Sequence, residues 1–159
     1  MTTSVQLATK VMEALHDGVI MERHFPMLVR GGIPDVGVTV HSHYLTFLAT
    51  LGQQLGFAAV GECPVTWPDD HIDLGDVRAD SIGFDHETLA PVAAFEFERF
   101  ERGDEPKLRE KVQNLAVAYL ATPTLRMSTL VYWVLSGSTP HSMESVVASY
   151  RDGFRRRGQ

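Results

Sequence analysis

A chain of 159 residues has the length of one ordinary domain and can bury a core without staples. With 44% apolar and 21% charged residues it reads as a globular protein, and no apolar run is long enough to span a bilayer. A net charge of −6 with only three lysines excludes a simple basic phosphate-binding module, since such modules replace phosphate counterions with Lys and Arg.

The opening Met-Thr-Thr-Ser-Val-Gln does not read as a secretory signal, because no basic start is followed by an apolar stretch. A single cysteine, Cys63, rules out an internal disulfide and fits a reducing, cytoplasmic setting; it reads as a half-buried structural thiol.

Residues 4–17 carry Val5, Leu7, Val11, Met12 and Leu15 at helical spacing, and Gly18 stops them. Residues 18–40 are less regular: Gly31-Gly32 and Ile33-Pro34-Asp35 mark a turn, and Val36, Val38 and Val40 alternate as in a short strand. Ser42 is a candidate N-cap for a helix with Leu45, Leu48, Leu51 and Leu55 down one side, closed by Gly56.

From there the period changes to two. Phe57 to Val65 predicts a first strand, broken at Pro64, and Trp67 to Asp76 a polar loop with Asp69, Asp70, His71, Asp73 and Asp76. Val77 to Phe84 predicts a second strand, Asp85-His86-Glu87 a turn, and Pro91 to Phe100 a third strand. Asp104-Glu105-Pro106 is a helix entry, and the helix runs to about Ala121 on Leu108, Val112, Leu115 and Tyr119. Ser128 to Leu135 predicts a strand buried on both faces, Gly137 to Pro140 a turn, and 143–156 a last helix. Arg155, Arg156 and Arg157 form a basic cluster at its end, read first as a solvated helix terminus. From residue 42 the order is helix, strand, strand, strand, helix, strand, helix, which predicts a layered α/β domain without an internal boundary.

One pattern carries chemistry. In Pro91-Val-Ala-Ala-Phe-Glu-Phe-Glu-Arg-Phe100, alternation predicts Val92, Ala94, Glu96 and Glu98 on one face and Ala93, Phe95 and Phe97 on the other. Two such carboxylates either face water from an edge strand, free or beside Arg99 or Arg102, or share a cation that relieves their repulsion. A hard divalent ion such as Mg²⁺, or Mn²⁺, fits the second case. Asp80 lies within the preceding strand beside Ile82 and Phe84, where an aspartate is a poor strand former. In a hairpin of the second and third strands, Asp80 meets Glu96 at one end of the sheet, and one metal would serve both.

Arg78-Ala-Asp-Ser-Ile-Gly-Phe84, then Pro91 to Glu98, then a helix with Lys107-Leu-Arg-Glu-Lys-Val-Gln-Asn-Leu115, resembles the core of the PD-(D/E)XK nuclease superfamily. The resemblance spans about residues 42–135. It implies a restriction-endonuclease-like three-layer α/β/α core of order αβββαβ, preceded by a helical extension (1–40) and followed by a C-terminal helix (141–157), all within one domain. It also implies a metal-dependent phosphodiesterase acting on DNA, or less readily RNA, as a homodimer where both strands of a duplex are cut. The family's metal aspartate maps onto Asp80, and its (D/E)-X-K motif onto Glu96-Phe97-Glu98. Glu98 stands where the family usually has its lysine, which leaves two options. Glu98 is itself a ligand or general base, or the lysine has moved to the next helix as Lys107 or Lys111, one turn apart. Many relatives carry a metal-tuning Glu on the first helix, for which His41, His43 or Gln53 would substitute here. Gln113 and Tyr119 do not reproduce the family's Gln-Tyr spacing.

The competing expectation is a non-catalytic relative that binds a partner protein or nucleic acid, in keeping with the acidic charge and the missing lysine. His41, His43 and Cys63 fall short of a zinc signature, and Asp69 to Asp73 lacks the spacing of a calcium loop. Trp67 and Tyr132-Trp133 read as core aromatics.

Overall fold

A computed structural model of the protein describes residues 4–26, 36–65, 77–101, 103–134, 144 and 148. Helix α1 (Ser4–His16) buries Leu7, Val11 and Ala14, a stripe spaced by four and three. The chain is not irregular directly after it. Asp17 caps a second helix, α2 (Gly18–His24), its Oδ1 accepting the N–H groups of Val19 at 2.8 Å and Ile20 at 3.2 Å.

Helix α3 (Val36–Leu55) starts six residues before the expected cap at Ser42. The alternating valines predicted as a strand are its first turns. Val40 is fully buried and continues through Tyr44, Phe47, Leu48 and Leu51, a three-and-four spacing that pulls the β-branched segment into the helix. Ser42 is therefore interior, its carbonyl accepting Thr46 Oγ1 at 3.1 Å. Gly56, at φ 88°, terminates α3 in the left-handed conformation that a C-cap glycine supplies.

Four strands follow in the sheet order β1-β2-β3-β4: β1 (Phe57–Pro64), β2 (Arg78–Asp85), β3 (Pro91–Phe100) and β4 (Met127–Val134). The first three are joined antiparallel, and β4 returns parallel to β3 after helix α4 (Glu105–Ala121). Asp85 Oδ1 fixes the β2–β3 turn by accepting from Glu87 N at 3.1 Å and from both Thr88 N and Oγ1 at 3.0 Å.

Opposite Gly83–Phe84 the pairing jumps from Ala93 to Pro91, so Val92 is an extra, bulged residue. The bulge turns Val92 onto the face of Phe95 and Phe97, not onto the face of Glu96 as simple alternation predicts. Strand β4 also departs from expectation. Among the described residues it is the sheet margin rather than a strand buried on both faces, and Tyr132 remains 37% exposed.

The two faces carry separate cores. One packs α1 and α3 onto Phe57, Ala93, Phe95 and Phe97. On the other, Leu108, Val112 and Leu115 of α4 cover Ile82, Ala94 and Phe100. The protein is thus an α/β protein with a four-stranded mixed sheet between helices. No helix among the described residues is long and apolar enough to cross a membrane. Glu144 and Ala148 are helical, while the rest of the expected last helix lies outside the described residues. So do the Gly31-Gly32 turn, Trp67 and the acidic loop to Asp76, Arg102, the 137–140 turn and Arg155–Arg157.

Candidate functional site

The β2–β3 ladder ends at Ser81↔Phe95. One residue further back on β2, Asp80 Oδ2 accepts the Phe97 N–H at 2.7 Å, taking the place of the strand carbonyl that the ladder no longer offers. This accounts for an aspartate inside a strand: its side chain satisfies a buried backbone donor where two strands part. Asp80 is 7% exposed and Glu96, on β3, 0%.

Lys111 comes from α4. It lies three residues after Leu108 and four before Leu115, on the buried stripe of the helix, so its stem runs over apolar surface while its ammonium reaches the parting strands. Lys111 Nζ donates to Asp80 Oδ1 at 3.0 Å and Oδ2 at 3.1 Å, and to Glu96 Oε2 at 2.7 Å. From the opposite layer, His41 of α3 brings Nε2 to 3.5 Å from Asp80 Oδ2. One turn on, Tyr44 stacks on Phe97 with ring centroids 4.1 Å apart. Asp80 is therefore approached from both helical layers.

The two carboxylates titrate in opposite directions. Burial works against the Asp80 charge, but the Phe97 N–H and the Lys111 ammonium outweigh it and hold its carboxyl below the ordinary value. Glu96, wholly out of water and beside the Asp80 charge, is pushed up to about 8 even though Lys111 pulls the other way. One ammonium serves two carboxylates, and Asp80 has the further backbone donor. Burial alone would discharge Lys111, yet its bonds to Glu96 and Asp80 raise it to about 12. Among the described residues, neither Glu96 Oε1 nor the buried Tyr44 hydroxyl has a hydrogen-bond partner.

The residues singled out in the sequence separate here. Asp80, Glu96 and Lys111 converge. Glu98 stays apart from them: its Oε1 accepts the Arg99 N–H at 3.1 Å, and it makes no hydrogen bond or ion pair with those three. Lys107 is 58% exposed and pairs with Asp104 at 3.1 Å. Of the first-helix candidates, His41 faces Asp80, while the ring of His43 lies against Phe25 and Gln53 is exposed. Gln113 and Tyr119 are exposed on α4.

One neighbour escaped the sequence reading. Glu62 stands in β1 between Gly61 and Cys63, which pair with Ser81 and Ala79, and so lies opposite Asp80. The signal available for it was weak, a single glutamate in a short strand of mixed pattern.

Asp80 and Glu96 fit a hard divalent cation. They offer carboxylate oxygens from adjacent strands, and the orphaned Glu96 Oε1 is the kind of buried acceptor that a cation satisfies. No protein-family model, curated protein or solved structure matches the chain. What fold and site define together is an α/β protein with a buried carboxylate pair bridged by one lysine where two strands part.

Proposed function

We propose that this protein is a divalent-metal-dependent phosphodiesterase with a restriction-endonuclease-like core, cleaving nucleic acid, with DNA the first substrate to test. The observation that carries the reading is the meeting of Asp80, Glu96 and Lys111, three residues from two strands and the following helix, around a fully buried glutamate with an unpartnered oxygen. The element order αβββαβ from Val36 onward supports it as well.

A bound Mg²⁺ or Mn²⁺ would polarise a phosphoryl oxygen and acidify a water molecule. Asp80 and Glu96 would hold that ion. Lys111 stands where the family resemblance expects a lysine moved onto the helix, and it would balance negative charge on the phosphate. Lys107, a turn earlier and exposed, would meet the phosphate backbone. Glu98 follows Glu96 along the strand and, only partly buried, is the candidate general base or additional ligand. Cutting both strands of a duplex would call for a homodimer, and the single cysteine suits a reducing compartment such as the cytoplasm.

The test is calorimetric titration of Mg²⁺ and Mn²⁺ into chelator-stripped wild type and Glu96→Ala, followed by plasmid and oligonucleotide cleavage. Metal-dependent heat in wild type, lost in the variant, together with cleavage, is the expected result. Absence of metal binding in wild type removes the nuclease reading.

A second reading has its own observation. Lys111 already neutralises both carboxylates, as a purely structural ion pair would. On that reading the protein is a non-catalytic nuclease-fold module that binds a partner protein or nucleic acid, and metal addition changes nothing.

A further inference from the structure

Lys111 and the Phe97 N–H engage Asp80 from α4 and β3, and they leave a flank of its carboxylate toward α3 and the edge strand. On that flank, one ligand atom each of His41, Glu62 and Asp80 all lie within 4.8 Å of one another. The three residues come from α3, β1 and β2, so their meeting is a product of the tertiary fold and not of helical or strand spacing. Asp80 is buried, His41 partly buried and Glu62 exposed, so the cluster opens to solvent on the Glu62 side and an ion has a way in.

We propose that His41, Glu62 and Asp80 form a binding site for a first-row transition-metal ion of the Fe²⁺, Co²⁺ or Zn²⁺ class. The site goes beyond the metal centre proposed above, sharing Asp80 with it but taking a different class of ion. An imidazole nitrogen among carboxylate oxygens favours such ions, whereas Mg²⁺ takes oxygen ligands and keeps its waters. Donors about 2.0–2.2 Å from one ion lie no more than about 4.4 Å apart, so a small rotation of the exposed Glu62 side chain closes the set. The ion would then reach Asp80 from the side of α3, and Lys111 reaches it from α4.

The test uses the full chain, stripped of metal, titrated separately with Co²⁺ and Mg²⁺ by calorimetry, with the visible absorption of bound Co²⁺ as a second readout. His41→Ala and Glu62→Gln are the variants. Both side chains reach solvent, and thermal melts establish that the variants fold. Each is expected to weaken Co²⁺ roughly tenfold or more, at least the loss that an outer-shell change causes, and His41→Ala to shift the Co²⁺ bands. Mg²⁺ affinity is expected to stay within about threefold in His41→Ala, because that ion does not use the imidazole. If Co²⁺ binds wild type and both variants alike but is lost in Glu96→Ala, this site is overturned and the Asp80–Glu96 metal centre stands. If Co²⁺ binds through His41 and Glu62 but no nucleic acid is cleaved, this site stands and the nuclease reading falls. If neither ion binds wild type, both fall.

Discussion

Lys111 is the residue on which the buried charges depend. Its ammonium donates to both oxygens of Asp80 and to Glu96, while His41 Nε2 stands 3.5 Å from Asp80 Oδ2. Replacing it with methionine keeps the stem packing and removes the charge. Breaking a buried ion pair from one side costs about 3–5 kcal/mol, and Lys111→Met should fall near the lower end because Glu96 takes up a proton readily. Urea unfolding at neutral pH checks this. Glu96 also governs pH dependence. Its folded pKa is raised from the ordinary 4.5 to about 8, so the stability it contributes is full below 4.5, declines as pH rises between these values, and is lost above about 8. Asp80 acts in the reverse sense, its contribution disappearing as pH falls below the ordinary carboxylate range. In the presence of a chelator, Glu96→Gln should remove the alkaline decline while leaving the acid limb in place. Melting temperatures from about pH 3 to about pH 9 would show this, and an unchanged alkaline limb in the variant would contradict it.

At the level of elements, the junction of α3 with the sheet is held by Phe57. A Cβ at Gly83 would lie 2.6 Å from Phe57 Cδ2, and one at Gly52 would lie 2.4 Å from the Phe57 carbonyl oxygen. The second contact is with backbone and cannot be relieved by a rotamer change. Overpacking of this kind costs typically about 1–3 kcal/mol, so Gly52→Ala and Gly83→Ala should both lower stability, Gly52→Ala by more. Gly61→Ala is the control: its Cβ would meet Leu45 Cδ1 at an ordinary 3.4 Å, and its effect should stay within about 0.5 kcal/mol. Chemical denaturation of the three variants side by side tests the ordering. The same junction bears on the site, since α3 carries His41 and Tyr44 toward Asp80 and Phe97.

For the whole molecule, a ligand that binds only the folded state stabilises it by mass action. The proposed metal donors come from α3, β1, β2 and β3, so an unfolded chain offers no preformed site. At a metal concentration one hundred times Kd the gain is about 2.7 kcal/mol, or roughly 5–10 °C in Tm for a chain of this size. A Mn²⁺ titration followed by thermal melting should therefore raise Tm in wild type and leave Glu96→Ala unmoved, whereas the gain from Co²⁺ should shrink in His41→Ala. An unmoved wild type would favour the structural ion pair over the metal centre. The two cores frame this outcome: with α1 and α3 on one face and α4 on the other, the sheet delivers both layers to one carboxylate where β2 and β3 part.

Much of this was legible in the residues themselves. The order of helix, three strands, helix and strand follows from periods of 3.6 and 2, which are local properties of side-chain direction. The oddity of Asp80 and Glu96 within apolar strands was equally local, because charge in such a run needs a partner wherever the strand goes. Three other matters were not local. Val36 to Val40 alternates like a strand, and only packing of Val40, Tyr44 and Phe47 against the sheet makes it helical. The bulge at Val92 depends on the register with Gly83, which no single strand contains. The choice of Lys111 over Lys107, and the arrival of His41 and Glu62 beside Asp80, depend on how α4, α3 and β1 dock on the sheet. Periodicity assigns each side chain a face of its own element, whereas only the packing of elements decides which faces meet.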